Sequence, residues 1–145
     1  MVIKVIENKE DKITIPDLLK DLKKNKKVDY CGAIFSFEGI VRGKEENMDL
    51  KKLILTTPNK ENTIKEIEAI VENTKIKYNV AEISVVHYIG EFYTGDSLFL
   101  VAVLGNHRKE SLDALTEVIE KVKYEVEFKK EEISSQGTKT ILAGG

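Results

Sequence analysis

Two apolar segments joined by a short turn place the strongest constraint on how this chain folds. Residues 82–89 and 97–104 are rich in β-branched and other apolar side chains, which is typical of β-strands. Gly95 and Asp96 stand between them and provide the chemistry of a tight turn. The two segments therefore predict a pair of strands joined by a hairpin.

The other predicted elements are spread along the whole chain. Further strands are predicted at residues 1–6, 32–42, 51–57, 126–133 and 139–142, helices at 17–24, 58–78 and 108–124, and a mobile loop at 43–49. Strands that meet through hairpins and single helices favour the α+β class with a mainly antiparallel sheet. With 145 residues, the chain is predicted to form one domain over residues 1–145.

Composition excludes several classes of function. The net charge of −2 argues against a general nucleic-acid binder, which usually carries a basic excess. No apolar run approaches the roughly 20 residues that span a bilayer, and the first residues lack the apolar core of a signal peptide. A single cysteine, Cys31, excludes an internal disulfide and a multi-thiolate metal site. We therefore expect a cytoplasmic protein.

A lysine on the last predicted helix is a candidate for chemistry. The apolar stripe of the helix at 108–124 is predicted to contain Leu112, Leu115, Ile119 and Val122. At about 100° per residue, Lys123 lies at the edge of this stripe, whereas Lys121 points to the solvated side. A lysine at the border of a buried face can lose water and act as a base or a nucleophile.

Further basic residues stand at the ends of predicted elements. His107 and Arg108 begin the same helix, where free N–H groups and the helix dipole favour an anion; alternatively, the pair only binds water there. Arg42 ends a strand, and Lys130 follows an aromatic residue in a charged segment; each is also typical of an ordinary surface residue. Together with Lys123, they are candidates for one basic pocket that attracts a small anion.

Other chemistry-bearing residues have simpler interpretations. His87 stands in an apolar strand and is interpreted as a core histidine, and Phe37 and Cys31 are interpreted as core residues. With two histidines and one cysteine in the chain, a zinc site is not expected.

Four segments resemble, in order and spacing, the large catalytic subunit of molybdopterin synthase. They are GAIFSFEGIVR at 32–42, VVHYIGEFYTGD at 85–96, VAVLGNHRKES at 101–111 and EKVKYEVEFKKEE at 120–132. The resemblance covers roughly residues 30–137. It implies an α/β hammerhead fold with additional antiparallel strands.

The resemblance also implies a reaction and partners. The family converts cyclic pyranopterin monophosphate to molybdopterin by installing the two sulfurs of the dithiolene. The sulfur arrives as a thiocarboxylate on the Gly-Gly tail of a small ubiquitin-like carrier subunit. Two large subunits form a central homodimer with one small subunit on each outer side, which gives a heterotetramer. No bound cofactor or metal is implied for this chain.

The resemblance assigns roles residue by residue. It implies that the essential lysines are Lys123 and Lys130, and that substrate also contacts Ile40, Val41, Arg42, His107, Arg108, Glu131 and Glu132. In this interpretation the arginines and His107 hold the phosphate and the pterin, with His107 and Arg108 serving the neighbouring subunit's pocket. Lys123 acts as a base, an acid or a transient amine partner, and Lys130 stabilises negative charge.

The chain departs from the family pattern at three places. Tyr88 stands where arginine is common, Thr56 and Thr57 replace an acidic-aromatic pair, and the final residues 142–145 lack an arginine. These differences predict a less basic pocket.

Two alternative functions follow from the same residues. The departures permit a non-catalytic binding or assembly subunit on the same fold. The C-terminal Gly144-Gly145 permits a carrier protein that is itself thiocarboxylated, although a frayed end is the commoner interpretation.

Overall fold

The structure is a computed structural model that describes residues 2–8, 10, 12–45 and 48–141. The helices are α1 (Ile15–Leu22), α2 (Lys60–Tyr78) and α3 (Arg108–Glu125), with a short 3₁₀ helix at Val28–Tyr30. The strands are β1 (Ile3–Glu7), β2 (Ala33–Ile40), β3 (Lys44–Glu45), β4 (Met48–Thr56), β5 (Glu82–Phe92), β6 (Ser97–Gly105), β7 (Lys129–Ser134) and β8 (Gly137–Ile141).

Within the described ranges the eight strands form one sheet. Its main order is β2-β6-β5-β4-β7-β8, while β1 lies beside β5 and β3 pairs with β4. The β1–β5 pair is parallel, and the other pairs are antiparallel. The predicted α+β class with a mainly antiparallel sheet is confirmed.

The β5–β6 hairpin forms the centre of this sheet. Residues 82–89 of β5 and 99–105 of β6 are all buried, which accounts for the nearly continuous apolar character of both segments. Val85 lies opposite Val101, and His87 lies opposite Phe99. Since successive side chains of a strand point to opposite faces, β5 supplies residues to the layers on both sides of the sheet.

Gly90 divides β5 into two parts with different partners. Residues 85–89 pair with β1, whereas residues 90–92 pair with β4. Gly90 has a φ of 117°, which residues with a Cβ rarely adopt. Asn8 supports the change of partner, because its side-chain amide donates to the Glu91 carbonyl at 2.6 Å. This change brings β4, β7 and β8 into the same sheet as β6.

The buried face of helix α3 differs from the apolar stripe predicted from the sequence. Its buried residues are Ser111, Ala114, Leu115, Val118 and Val122, whereas Leu112 is 47% exposed. The prediction that Leu112 belongs to the buried stripe is wrong. The small residues Ser111 and Ala114 are buried instead, and Ser111 packs against Gly105 of β6. A Cβ added to Gly105 would clash with the Ser111 Oγ, so the helix approaches the strand closely at this point.

A carboxylate connects α3 to α2. Glu117 accepts hydrogen bonds from the Lys77 Nζ at 2.6 Å and from the Tyr78 hydroxyl at 2.9 Å. The hydrogen bond from Lys77 lowers the pKa of Glu117.

None of the helices in the described part of the chain has the length and hydrophobicity needed to cross a bilayer.

Several predicted boundaries differ from the structure. The segment 43–49, predicted as a mobile loop, contains β3 and the start of β4, which pair through Lys44 and Asp49. The helix α1 begins at Ile15, because Thr14 and Asp17 form a capping box. The helix α2 begins after Asn59 rather than at Pro58, since the Asn59 side chain caps it.

Tyr88 joins the central strand to the segment before α1. Its ring is fully buried, and its hydroxyl donates to the Ile13 carbonyl at 2.6 Å and accepts from the Ile13 N–H at 2.8 Å. Burial raises the pKa of this phenol. Tyr88 therefore holds the β1–α1 connection on the face of β5 opposite to His87.

We predict that Tyr88→Phe lowers the free energy of unfolding by about 1–3 kcal/mol, because both backbone groups of Ile13 lose their partner. Urea denaturation measures the change. Tyr30→Phe is the matched control, since Tyr30 is 77% exposed, and it should unfold like the wild type. Equal stability of all three proteins would show that the hydroxyl contributes nothing.

Candidate active site

A cavity of about 450 Å³ opens beside the central strands, between β2, β4, β7 and the end of α3. Most of its wall is apolar, and the apolar side chains come from Phe37, Ile40, Val41, Leu50, Leu53, Leu55, Leu98, Phe99, Ile119, Val126, Phe128 and Ile141. Its charged residues are Arg42, Lys123, Lys130 and Glu132. The cavity thus combines three cations and one carboxylate with a largely apolar interior.

The strand β7 places one lysine and one glutamate in the cavity. Lys130 and Glu132 lie opposite Leu55 and Leu53 of β4, and all four line the cavity. The Lys130 Nζ lies 3.6 Å from the Glu132 Oε1, and the two side chains are 21% and 14% exposed. The carboxylate therefore holds the ammonium group of Lys130 at the wall.

Glu131 lies on the other face of β7. It forms an ion pair with Lys129 at 3.3 Å and does not line the cavity. The inclusion of Glu131 among the substrate-contacting residues is thus not supported within one chain, because strand alternation turns its side chain away.

The end of β2 places Arg42 at the cavity. The pairing of β2 with β6 shifts register between Gly39 and Ile40. Beyond this shift, the Val41 N–H donates to the Asp96 carbonyl at 2.9 Å, and the Gly95 N–H donates to the Val41 carbonyl at 2.8 Å. The β5–β6 turn therefore holds the segment that carries Arg42, whose side chain is exposed.

Lys123 projects from the last turn of α3. It lines the cavity but is exposed, whereas Lys121 is half-buried and lies 3.5 Å from the Glu117 Oε2. The predicted contrast between a shielded Lys123 and a solvated Lys121 is therefore wrong for the isolated chain. The cause is the rotation of the α3 buried face towards Ser111 and Ala114.

His107 and Arg108 lie outside this cavity. They line a separate depression with Gly32, Asn106 and Lys109. The helical rise of about 1.5 Å per residue separates Arg108 from Lys123 by roughly 22 Å along α3. The prediction that all five basic residues line one pocket is wrong within a single chain.

His107 caps α3 together with Glu110. The His107 N–H donates to the Glu110 Oε1 at 3.0 Å, and the ring Nδ1 lies 3.0 Å from the same oxygen. A backbone hydrogen bond at Glu110 and the His107 side chain lower the pKa of the Glu110 carboxyl. A carboxylate therefore already occupies part of the helix start at which an anion was expected.

His87 is a cavity residue that the sequence interpretation assigned only to the core. The buried ring stacks between Phe99, at 5.0 Å between centroids, and Phe128, at 4.1 Å. Its Nδ1 lies 2.9 Å from the Tyr88 carbonyl and therefore donates, because a carbonyl only accepts. Burial lowers the pKa of His87 to about 4. In the sequence, the presence of a polar residue within an apolar strand was the signal that could have identified His87 as a cavity residue.

The departures from the family pattern do not remove charge from the cavity wall. Tyr88 faces Ile13, Thr57 is hydrogen-bonded to Thr63 of α2, and neither of these nor Thr56 lines the cavity. The prediction that these substitutions make the pocket less basic is wrong for the three positions. Residues 142–145, including Gly144 and Gly145, lie outside the described residues.

Comparison with known proteins agrees with this architecture. The family model described as MoaE protein matches residues 9–125. The molybdopterin synthase catalytic subunit of Pyrococcus abyssi is 31% identical over 106 residues, which are 73% of this chain and 71% of that protein.

Two solved structures share the fold. The crystal structure of molybdopterin synthase from Staphylococcus aureus has a TM-score of 0.83 and 25% identity and covers 96% of each chain. A chain in the complex of subunits 1 and 2 of molybdopterin-converting factor from Helicobacter pylori has a TM-score of 0.71 and 26% identity, over 97% of this chain and 88% of that one.

The fold, the cavity and these relatives define a biosynthetic enzyme. More specifically, the chain belongs to the MoaE family, the family of molybdopterin synthase catalytic subunits. The resemblance found in the sequence is confirmed.

We predict that acidification from pH 6.5 to pH 4 destabilises the fold through His87. The unfolded chain binds a proton at its normal pKa of 6.5, whereas the folded chain resists protonation until about pH 4. The free energy of unfolding should therefore fall by up to about 3 kcal/mol across this range. Arg42, Lys123 and Lys130 also line the cavity and oppose a further positive charge there, while Glu132 is engaged with Lys130.

Denaturation of the wild type and of His87→Phe at several pH values tests this. Above about pH 5 the variant should lose most of the pH dependence, because the carboxyls with a lowered pKa, Asp17, Glu110 and Glu117, contribute mainly at lower pH. His107→Asn removes the other histidine, whose side chain is 82% exposed, and should keep the wild-type dependence above about pH 5, where the Glu110 carboxyl contributes little. A wild-type slope in His87→Phe would contradict the assignment.

Proposed function

We propose that this chain is a sulfur transferase that converts cyclic pyranopterin monophosphate to molybdopterin in the cytoplasm, using a small carrier subunit with a thiocarboxylated Gly-Gly tail. The observation that carries the proposal is the meeting of Arg42, Lys123 and Lys130, from three distant segments, in one mainly apolar cavity. Membership of the MoaE family supports the type of reaction. The two-subunit complex of the Helicobacter pylori relative supports a partner subunit.

The cations of the cavity match an anionic substrate. The Arg42 guanidinium is suited to bind the cyclic phosphate through paired hydrogen bonds. Lys130, held by Glu132, supplies a fixed positive charge where negative charge develops during sulfur transfer. Ile40 and Val41 extend the apolar wall next to Arg42 and contact the substrate there.

Lys123 is the group proposed to act on the reacting atoms. Lys123 is exposed and lines the cavity, so its side-chain amine can reach an occupant. When the substrate and the carrier tail fill the cavity, the apolar walls displace water from this amine. It then acts as a base, an acid or a transient amine partner while the thiocarboxylate sulfur bonds to a substrate carbon and a carbon–oxygen bond at that carbon breaks, the oxygen leaving with a proton. Hydrolysis of the acyl–sulfur bond returns the tail as a carboxylate, with the oxygen supplied by water.

His107 and Arg108 are proposed to serve a second subunit. Their separation from Lys123 along α3 prevents them from joining their own cavity. A homodimer that apposes the start of one α3 to the cavity of the other chain would use both residues. The proposed assembly is this homodimer with one carrier subunit on each outer side.

We predict that Lys123→Ala lowers turnover by about 100-fold or more, because no other described residue lies at its place in the cavity. The assay combines purified protein, thiocarboxylated carrier and cyclic precursor, and measures dithiolene formation. Lys121→Ala is the matched control on the same helix turn and should retain turnover. Normal turnover of Lys123→Ala would contradict the proposed mechanism.

The same assay separates the alternative functions. A non-catalytic subunit would give no product with the wild-type chain. A chain that acts as its own carrier would lose its function when Gly144 and Gly145 are removed, whereas the proposed enzyme should work with a separate carrier after this truncation.

We further predict complementation between two inactive variants. Subunits carrying Lys123→Ala, mixed under exchange with subunits carrying Arg108→Ala, should form heterodimers with one intact cavity and regain about a quarter of the activity. Each variant alone is the control. Failure to regain activity, with heterodimers demonstrated by native mass spectrometry, would exclude sharing of the site between subunits.

A further inference from the structure

His87 presents one uncommitted polar edge to the cavity. Phe99 and Phe128 cover the two faces of its ring, and Nδ1 donates to the Tyr88 carbonyl. The residue is 8% exposed and lines the cavity. The part of the imidazole left for an occupant is therefore the edge that carries Nε2. No residue in the described ranges hydrogen-bonds to that nitrogen.

The three cations of the cavity have the opposite hydrogen-bonding character to this nitrogen. Arg42, Lys123 and Lys130 carry hydrogen-bond donors only. Glu132 is an acceptor, but its carboxylate is paired with Lys130. Because Nδ1 holds the proton of the neutral ring, Nε2 carries a lone pair and accepts. The charged part of the cavity thus offers three cations and the Glu132 carboxylate, whereas its aromatic part offers the His87 Nε2 as an acceptor for a neutral donor.

We propose that His87 is a positioning and specificity residue, whose Nε2 accepts a hydrogen bond from an N–H group of the heterocycle of the substrate while Arg42 holds its phosphate. This assignment rests on the proposed function. Two contacts of different chemistry, one for each end, orient the substrate with respect to Lys123. A heterocycle with an acceptor at this position would leave two acceptors facing each other in a buried site, and the cavity would reject it.

The environment of the ring keeps this acceptor available. Desolvation disfavours the imidazolium form, which would turn Nε2 into a donor. The aromatic stack and the Tyr88 carbonyl fix the orientation of the ring. A fixed acceptor loses little freedom when it binds, and it therefore discriminates better than a mobile side chain.

Two substitutions distinguish the contribution of the hydrogen-bond acceptor of His87 from the contribution of its aromatic ring. His87→Phe keeps an aromatic ring between Phe99 and Phe128 but removes the nitrogen. His87→Gln removes the ring but offers an amide oxygen that can accept. We expect His87→Phe to raise KM for the cyclic precursor about tenfold with a smaller change in kcat, and His87→Gln to lie closer to the wild type. Tyr88→Phe, altered on the opposite face of the same strand, should keep the wild-type KM.

The outcomes distinguish this inference from the proposed function. An inactive wild type would contradict the proposed function itself. With an active wild type, an unchanged KM in His87→Phe, or equal impairment of both His87 variants, would overturn the inference and leave the ring with a packing role. Calorimetric titration of the precursor into each protein measures the same difference without turnover, and the melting temperature of each variant verifies that it is folded.

Discussion

Burial of the β5–β6 hairpin on both faces is the constraint on which the other features depend. Since nearly every side chain of these strands is removed from water, both faces of the hairpin must be covered. The alternation of β5 then assigns neighbouring residues to different layers. Tyr88 ties the segment before α1 to one face, while His87 stands on the other face beside the residues that follow α3.

The cavity is a consequence of how the strands around this hairpin are joined. Gly90 transfers the pairing of β5 from β1 to β4, and β4 in turn carries β7 with Lys130 and Glu132. The β5–β6 turn holds the end of β2 and with it Arg42. The same central hairpin therefore positions charged groups from both ends of the sheet around an apolar space.

The charges of this site differ in how firmly they are held. Lys130 is partly buried and paired with Glu132, whereas Arg42 and Lys123 are exposed. The ammonium group of Lys130 therefore offers a charge that Glu132 already holds in place. Between them, the stacked imidazole of His87 adds a neutral contact with a fixed direction. The cavity therefore combines charged side chains with an aromatic wall.

The amino-acid sequence by itself determined the order of the strands and helices other than β3 and the short 3₁₀ helix, and the α+β class, because apolar periodicity and turn chemistry are local properties. Through four of its segments it also indicated the family. It also identified Arg42, Lys123 and Lys130. Only the tertiary structure decided which candidates meet, since that depends on strand register, on the switch at Gly90 and on the close packing of small residues along α3. For this reason the sequence did not predict that His87 lines the cavity or that Glu131 does not. His107 and Arg108 lie at the opposite end of α3 from Lys123.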